Sequence, residues 1–164
     1  MSGLSKRPLL PFLLSLVGVL SADGITKHCV RAHACALELK PLAVFGQWFF
    51  IGHTQNTGAA WGLWQGCNRG LAVLGLLVAA VILWSYAQTI KVHPVAYGLL
   101  SGGILGNVLD RLRQGGVTDF IDIHLPFYRW PSFNLADTAI CLAVGALLLL
   151  PSRVPVPPDS PSSF

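Results

Sequence analysis

Four stretches of the chain are apolar with scarcely a charged side chain, from about Pro8 to Ile25, Gly70 to Gln88, Val92 to Leu109 and Phe133 to Leu150. Between them the pattern turns mixed, over about 28–69, 89–91 and 110–132. Each apolar stretch has roughly the 17–25 residues with which a helix rising about 1.5 Å per residue crosses a hydrocarbon core of about 30 Å. A helix surrounded by apolar neighbours carries no amphipathic stripe, so length rather than periodicity identifies these segments. Four spans put both ends of the chain on one side of a bilayer. The long and the medium connections then share the other side.

Composition supports this reading. The 164 residues are 53% hydrophobic and 11% charged, with a mean hydropathy of +0.61, whereas an average soluble domain is about a quarter charged. One domain is expected, over residues 1–151, followed by a Pro- and Ser-rich tail over 152–164 that reads as disordered. The formal charge of +4 is dispersed and lacks a basic stripe with interleaved aromatics, which argues against nucleic-acid binding. With both termini cytoplasmic, Lys6, Arg7, Lys91 and Arg153 fall inside and Arg31, Lys40, Arg69, Arg113 and Arg129 outside, with Lys27 and Arg111 at helix ends. The raw count opposes that orientation, while the density, four basic residues in roughly 27 inside against five in roughly 64 outside, favours it.

Lys6-Arg7, the apolar run and Val19-Leu20-Ser21-Ala22 have the outline of a cleavable signal peptide. The first span is nevertheless expected to be retained, because Asp23 and Lys27 belong to the polar set considered next. Cys29, Cys35, Cys67 and Cys141 show no metal-binding spacing, and His28, Cys29, His33 and Cys35 are too close in sequence to converge tetrahedrally, so no metal is expected. Whether loop cysteines pair is left open.

An Asp at the centre of a membrane helix costs about 2.5–3.5 kcal/mol on insertion scales, so an acid near a span needs a partner or a task. Five of the seven acidic residues, Asp23, Asp110, Asp119, Asp122 and Asp137, are carried by the four-span topology to one side. Each has an ordinary explanation. Asp23 and Lys27 are i,i+4 neighbours suited to an ion pair. Asp110 and Arg111 can position a helix end, and Asn134 can cap a helix whose positive end favours Asp137. Asp119 and Asp122 can be solvated loop acids, and Asn56-Thr57-Gly58 a turn.

In order, these segments carry more. The chain reads Asp23-Gly24-Ile25-Thr26-Lys27, Asn56-Thr57-Gly58-Ala59-Ala60-Trp61-Gly62, Gly102-Gly103-Ile104-Leu105-Gly106-Asn107-Val108-Leu109-Asp110-Arg111, Gly116-Val117-Thr118-Asp119-Phe120-Ile121-Asp122 and Phe133-Asn134-Leu135-Ala136-Asp137. The series resembles the bacterial lipoprotein signal peptidases, or signal peptidase II, from the first span to the fourth. Gly24, where that family usually has Gln, and Trp61, where Phe is common, depart from its pattern without replacing a catalytic group.

The resemblance implies an all-α membrane protein of four transmembrane helices with a small extracytoplasmic β/loop subdomain, set in the bacterial inner membrane. It implies an aspartic endopeptidase that cuts prolipoproteins on the amino side of a diacylglyceryl-modified cysteine, without a cofactor and as a monomer. Asp119 and Asp137 become the catalytic dyad, with Asp122 the nearest competitor for Asp119. Asp23, Lys27, Asn56, Gly58, Asn107, Asp110, Arg111, Asn134 and Ala136 become substrate-binding or supporting residues. In such chemistry one carboxylate takes a proton from water while the other stays protonated to polarise the scissile carbonyl, and two carboxyls close together achieve this because they cannot both ionise. Membrane lipids are further partners, and Leu42 to Phe50, with Trp48, Phe49 and Phe50, reads as an interfacial strand or short helix that covers substrate or anchors the chain. A proton-coupled transporter would instead place its acids near the midplane, and a non-enzymatic assembly subunit would use the polar residues only for helix packing.

Overall fold

A computed structural model describes residues 9–59, 63–88 and 93–150. The terminal charges Lys6, Arg7 and Arg153, the loop residue Lys91, Trp61 and the tail lie outside the described residues. The chain runs α1 (Leu9–Ala32), α2 (Ala34–Leu39), β1 (Leu42–Phe45), β2 (Phe49–Asn56), α3 (Asn68–Gln88), α4 (Pro94–Gln114), β3 (Val117–Leu125), β4 (Tyr128–Arg129) and α5 (Leu135–Leu149). It is mostly helical, with one small antiparallel sheet in the order β1-β2-β3-β4.

Among the described residues two helices, α1 and α3, are long and apolar enough to cross a membrane, with mean hydropathies of 1.8 and 2.2. Only 11% and 17% of their apolar windows are buried, which is the reverse of the core helix of a soluble protein. Leu10, Leu14, Leu77, Val81, Trp84 and Leu148 project outward uncovered. The helix α5 is apolar but has 15 residues. The helix α4 is less apolar because it is central, packed by α1, α3 and α5 and carrying the polar residues that face them.

Small residues bring α4 close to its neighbours. A Cβ on Gly102 would lie 2.8 Å from the Leu16 carbonyl oxygen of α1, and one on Gly103 would lie 2.5 Å from that of Ala136 in α5. A Cβ on Gly106 would lie 2.9 Å from the Asp23 carboxylate. Close backbone approach of this kind takes the place of a hydrophobic drive between helices in lipid.

Several boundaries move from the expected positions. The first helix continues past Ile25 to Ala32, since Gly24 alone does not end a helix that neighbours support. Asp23, Lys27 and Arg31 thereby stand one above the other at four-residue spacing. The helix α4 starts with Pro94 in its first turn and ends at Gly115, whose φ of 70° is the left-handed stop that glycine supplies. Arg31 and Arg113, counted above as loop residues, are therefore last-turn helical residues. Leu42 to Phe50 takes the strand alternative, as β1 and the start of β2. The medium connection is a strand rather than a solvated loop: β3 pairs with β2, placing Asp119 opposite Thr54 and Asp122 opposite Phe50. The two carboxylates are 3% exposed, so the solvated-acid explanation fails for both.

Candidate active site

Strand alternation decides how Asp119 and Asp122 differ. Successive side chains on a strand point to opposite faces, so residues three apart cannot share one. Asp119, with Val117 and Ile123, faces a cavity of about 580 Å³ that Asp137 and Asn107 also line. Asp122 faces away, taking a hydrogen bond of 2.5 Å from the Ser132 hydroxyl and an ion pair of 3.4 Å from Arg129.

Asp137 reaches the same cavity from the first turn of α5. Asn134 is the N-cap: its Oδ1 accepts from the Asp137 backbone N–H at 3.0 Å, and Asp137 Oδ2 accepts from the Asn134 backbone N–H at 3.3 Å. This reciprocal cap fixes the Asp137 side chain against the helix end. The backbone of Phe133 is bridged to Ile121 of β3, which ties the start of α5 to the strand bearing Asp119.

Three asparagine amides converge on the two carboxyls, each turned by a donor on its own oxygen. Asn134 Oδ1 is held by Asp137 N–H, so its Nδ2 donates to Asp119 Oδ1 at 2.7 Å. Asn56 Oδ1 is held by Gly58 N–H at 2.9 Å, and its Nδ2 donates to Asp119 Oδ2 at 3.1 Å. Asn107 Oδ1 accepts from Lys27 Nζ at 3.0 Å, and its Nδ2 donates to Asp137 Oδ1 at 2.7 Å. An amide presents its nitrogen only where its oxygen is engaged elsewhere, so all three are fixed as donors. Each Asp119 oxygen keeps a further lone pair for a proton or a water.

Burial first, and the neighbouring Asp137 carboxyl second, push the Asp119 carboxyl up to about 7, against the Asn56 and Asn134 hydrogen bonds and the Lys27 charge. A carboxyl in this range holds or releases a proton near neutrality. That is the property a carboxyl pair needs to run acid and base chemistry together.

Behind this pair lies an ionic layer. Lys27 is 1% exposed and lies 2.7 Å from Asp23 and 3.2 Å from Asp110. Asp23 accepts from the Ala136 backbone N–H at 2.9 Å, which pins α5 to α1. Asp110 accepts from Arg31 at 3.2 Å and from the Thr118 backbone N–H at 3.0 Å, which holds the residue before Asp119. Arg111 lines the cavity and donates to the Gly58 carbonyl at 3.0 Å. Gly58 itself has no room for a side chain, because a Cβ there would lie 2.5 Å from the Leu63 carbonyl oxygen.

Of the residues singled out from the sequence, Asn56, Asn107, Arg111, Asp119 and Asp137 line the cavity. Asn134 touches both carboxyl-bearing residues from beneath, and Asp23, Lys27, Gly58, Asp110 and Ala136 stand one layer behind. Arg31 and Thr118 belong to that layer and were not anticipated. Arg31 donates to Thr118 Oγ1 at 3.0 Å. Its position four residues after Lys27 was the signal that could have identified it.

The cavity has two characters. Toward α5 it is apolar, bounded by Ile140, Cys141 and Leu142 with Trp130 and Phe133. Toward β2 it adjoins a polar recess of about 470 Å³ bounded by Thr54, Gln55, Thr57, Gln65 and Ser132, which Asp119 and Asn56 also reach. The four cysteines are free and exposed.

The chain matches the family described as signal peptidase (SPase) II over residues 15–152. The lipoprotein signal peptidase of Moorella thermoacetica is 38% identical over 149 residues, covering 87% of this chain and 95% of that protein. That of Syntrophus aciditrophicus is 37% identical over 155 residues, covering 88% and 92%. Among solved structures, a bacterial membrane enzyme superposes with a TM-score of 0.78 at 26% identity over 87% of this chain and 88% of its own. Another does so with a TM-score of 0.77 at 27% identity, over 87% and 93%.

Proposed function

Since the chain belongs to the signal peptidase II family, we propose that Asp119 and Asp137 form the dyad with which it cleaves its substrates. The protein is an aspartic endopeptidase of the membrane that removes signal peptides from lipoproteins. The observation that carries the dyad is the shared cavity with its three oriented asparagine amides. These donors hold the carboxyls in place whichever one carries the proton, so no reorganisation accompanies each transfer.

The chemistry follows. A water between the carboxyls gives a proton to the ionised one as its oxygen bonds to the scissile carbonyl carbon. The protonated carboxyl passes its proton to the carbonyl oxygen, forming a neutral tetrahedral diol. Return of a proton to the amide nitrogen and breakage of the C–N bond then release the two peptides. The amine leaves on the lipoprotein side, in keeping with cleavage on the amino side of the modified cysteine.

The two halves of the cavity suit a substrate that is part peptide and part lipid. The polar recess beside β2 offers side chains to an extended peptide, and the apolar wall of α5 suits the diacylglyceryl group on that cysteine. We further propose that α1, α3, α4 and α5 all span the bacterial inner membrane, with both termini cytoplasmic and the dyad toward the outer face. The apolar outward side chains of the four helices and the position of all five acids at one end of the bundle support this reading.

Purified protein incubated with a diacylglyceryl-modified precursor tests the dyad. Asp119→Asn and Asp137→Asn are each expected to abolish cleavage while the protein still accumulates in the membrane. The double variant should be scarcely worse than either, because a dyad acts as one unit. Asp122→Asn should retain substantial activity. Full turnover by either dyad variant would exclude the mechanism.

A further inference from the structure

A further cavity, of about 330 Å³, opens along the seam of α1 and α4, and none of its described lining residues lines the dyad cavity. Both helices run toward the sheet, so their later residues lie at the polar end of the bundle. The deep end is formed by Leu20, Leu109 and the glycines Gly24 and Gly106, and the outer end by Arg31 and Arg113. The wall is open at Gly24, where an added Cβ would meet nothing within 4 Å.

The charge balance of this cavity is cationic. Two acids stand in it, Asp23 and Asp110, and every oxygen they carry is engaged. Asp23 takes Ala136 N–H and Lys27, and Asp110 takes Arg31, Lys27 and Thr118 N–H. Lys27 and Arg31 neutralise the two. Arg113 has no ion pair or hydrogen bond among the described residues, and Arg31 uses one terminal nitrogen inward, leaving the rest of its guanidinium without a protein partner. His28 lies on the same rim. The result is a cleft that is apolar at depth and carries, at its outer end, the Arg113 guanidinium unpaired among the described residues beside the outward face of the ion-paired Arg31.

We propose that this cleft binds the phosphate of an anionic glycerophospholipid, with Arg113 and the outer face of Arg31 as its ligands. The glycerol backbone would stand beside Gly24 and the start of an acyl chain against Leu20 and Leu109. Planar guanidinium forks match phosphate oxygens. The order of apolar and cationic residues along the helices is the order of chain and head group along the membrane normal. Because Arg31 also holds Thr118, the residue before Asp119, a lipid here would brace the strand that carries a dyad carboxyl.

Native mass spectrometry of the full chain, released from micelles containing equal phosphatidylglycerol and phosphatidylcholine, reads this directly. The wild type should retain phosphatidylglycerol in preference. Arg113→Gln should lower that retention about fivefold, the worth of one basic residue near an anionic surface, and Arg113→Lys should restore most of it. Gly24→Gln, which fills the open wall, should lower retention without removing a charge. Equal retention of the two lipids by the wild type, or unchanged retention in both Arg113→Gln and Gly24→Gln, would overturn the proposal. Displacement of the lipid by excess inorganic phosphate would assign the cleft to a free anion and overturn it as well.

Discussion

Replacing Asp119 with Asn probes the carboxyl pair without reference to turnover. In the folded chain its carboxyl titrates at about 7, against an ordinary value of 3.8. Between those values the folded chain binds more protons than the unfolded one. Stability contributed by this residue is therefore lost as pH rises through that window and levels off above about 7. For a single site the loss between about pH 5 and about pH 8 is on the order of 2–3 kcal/mol. The Asn variant has no such slope. It carries a constant cost instead, because Asn56 and Asn134 both aim Nδ2 at position 119 and an amide accepts on one oxygen only. One mismatched buried donor costs about 1–3 kcal/mol. Relative to wild type, the variant should thus gain on the order of 2–3 kcal/mol across this range, or about 5–10 °C in apparent Tm for a chain of this size. Thermal unfolding in detergent at several pH values, followed by tryptophan fluorescence, measures the difference. A constant difference in Tm, or one of opposite slope, would mean that Asp119 ionises as an ordinary carboxylate and shares no proton with Asp137.

Further outcomes follow from the same geometry. Cleavage by the wild type should decline as pH rises through about 7, where the pair loses its shared proton, and a pH profile of kcat/KM checks this. Lys27→Met leaves Asp23 and Asp110 short of a buried counter-charge and should cost about 3–5 kcal/mol, seen as a fall in Tm at neutral pH. Asn134→Ala removes the α5 cap, worth about 1 kcal/mol. It also removes a donor to Asp119, so turnover should fall by more than the stability change explains, whereas Asn134→Asp should keep the cap but lose activity. Reporter fusions after Thr57 and after Pro151 should report opposite sides of the membrane, and the same side for both would remove the proposed topology.

The sequence by itself determined the apolar segments, the convergence of five acids on one end of the bundle and the cap at Asn134, because these depend on length, chain direction and local hydrogen bonding. It also held the ordered motifs that mark the family. It did not decide between Asp119 and Asp122, because a segment read as a loop has no faces, and only pairing of β3 with β2 gives each residue a side. Nor did it reveal that Asn56, Asn107 and Asn134 act together, since the carboxyls their amides face come from other elements for Asn56 and Asn107 and from β3 for Asn134, and the Asn107 amide is turned by Lys27 of α1. The burial of Lys27 between two carboxylates likewise depends on α1 and α4 meeting at glycines, which brings residues 80 positions apart within hydrogen-bond distance. Local chemistry is written residue by residue, whereas the site exists only where packing brings such residues together and excludes water from them.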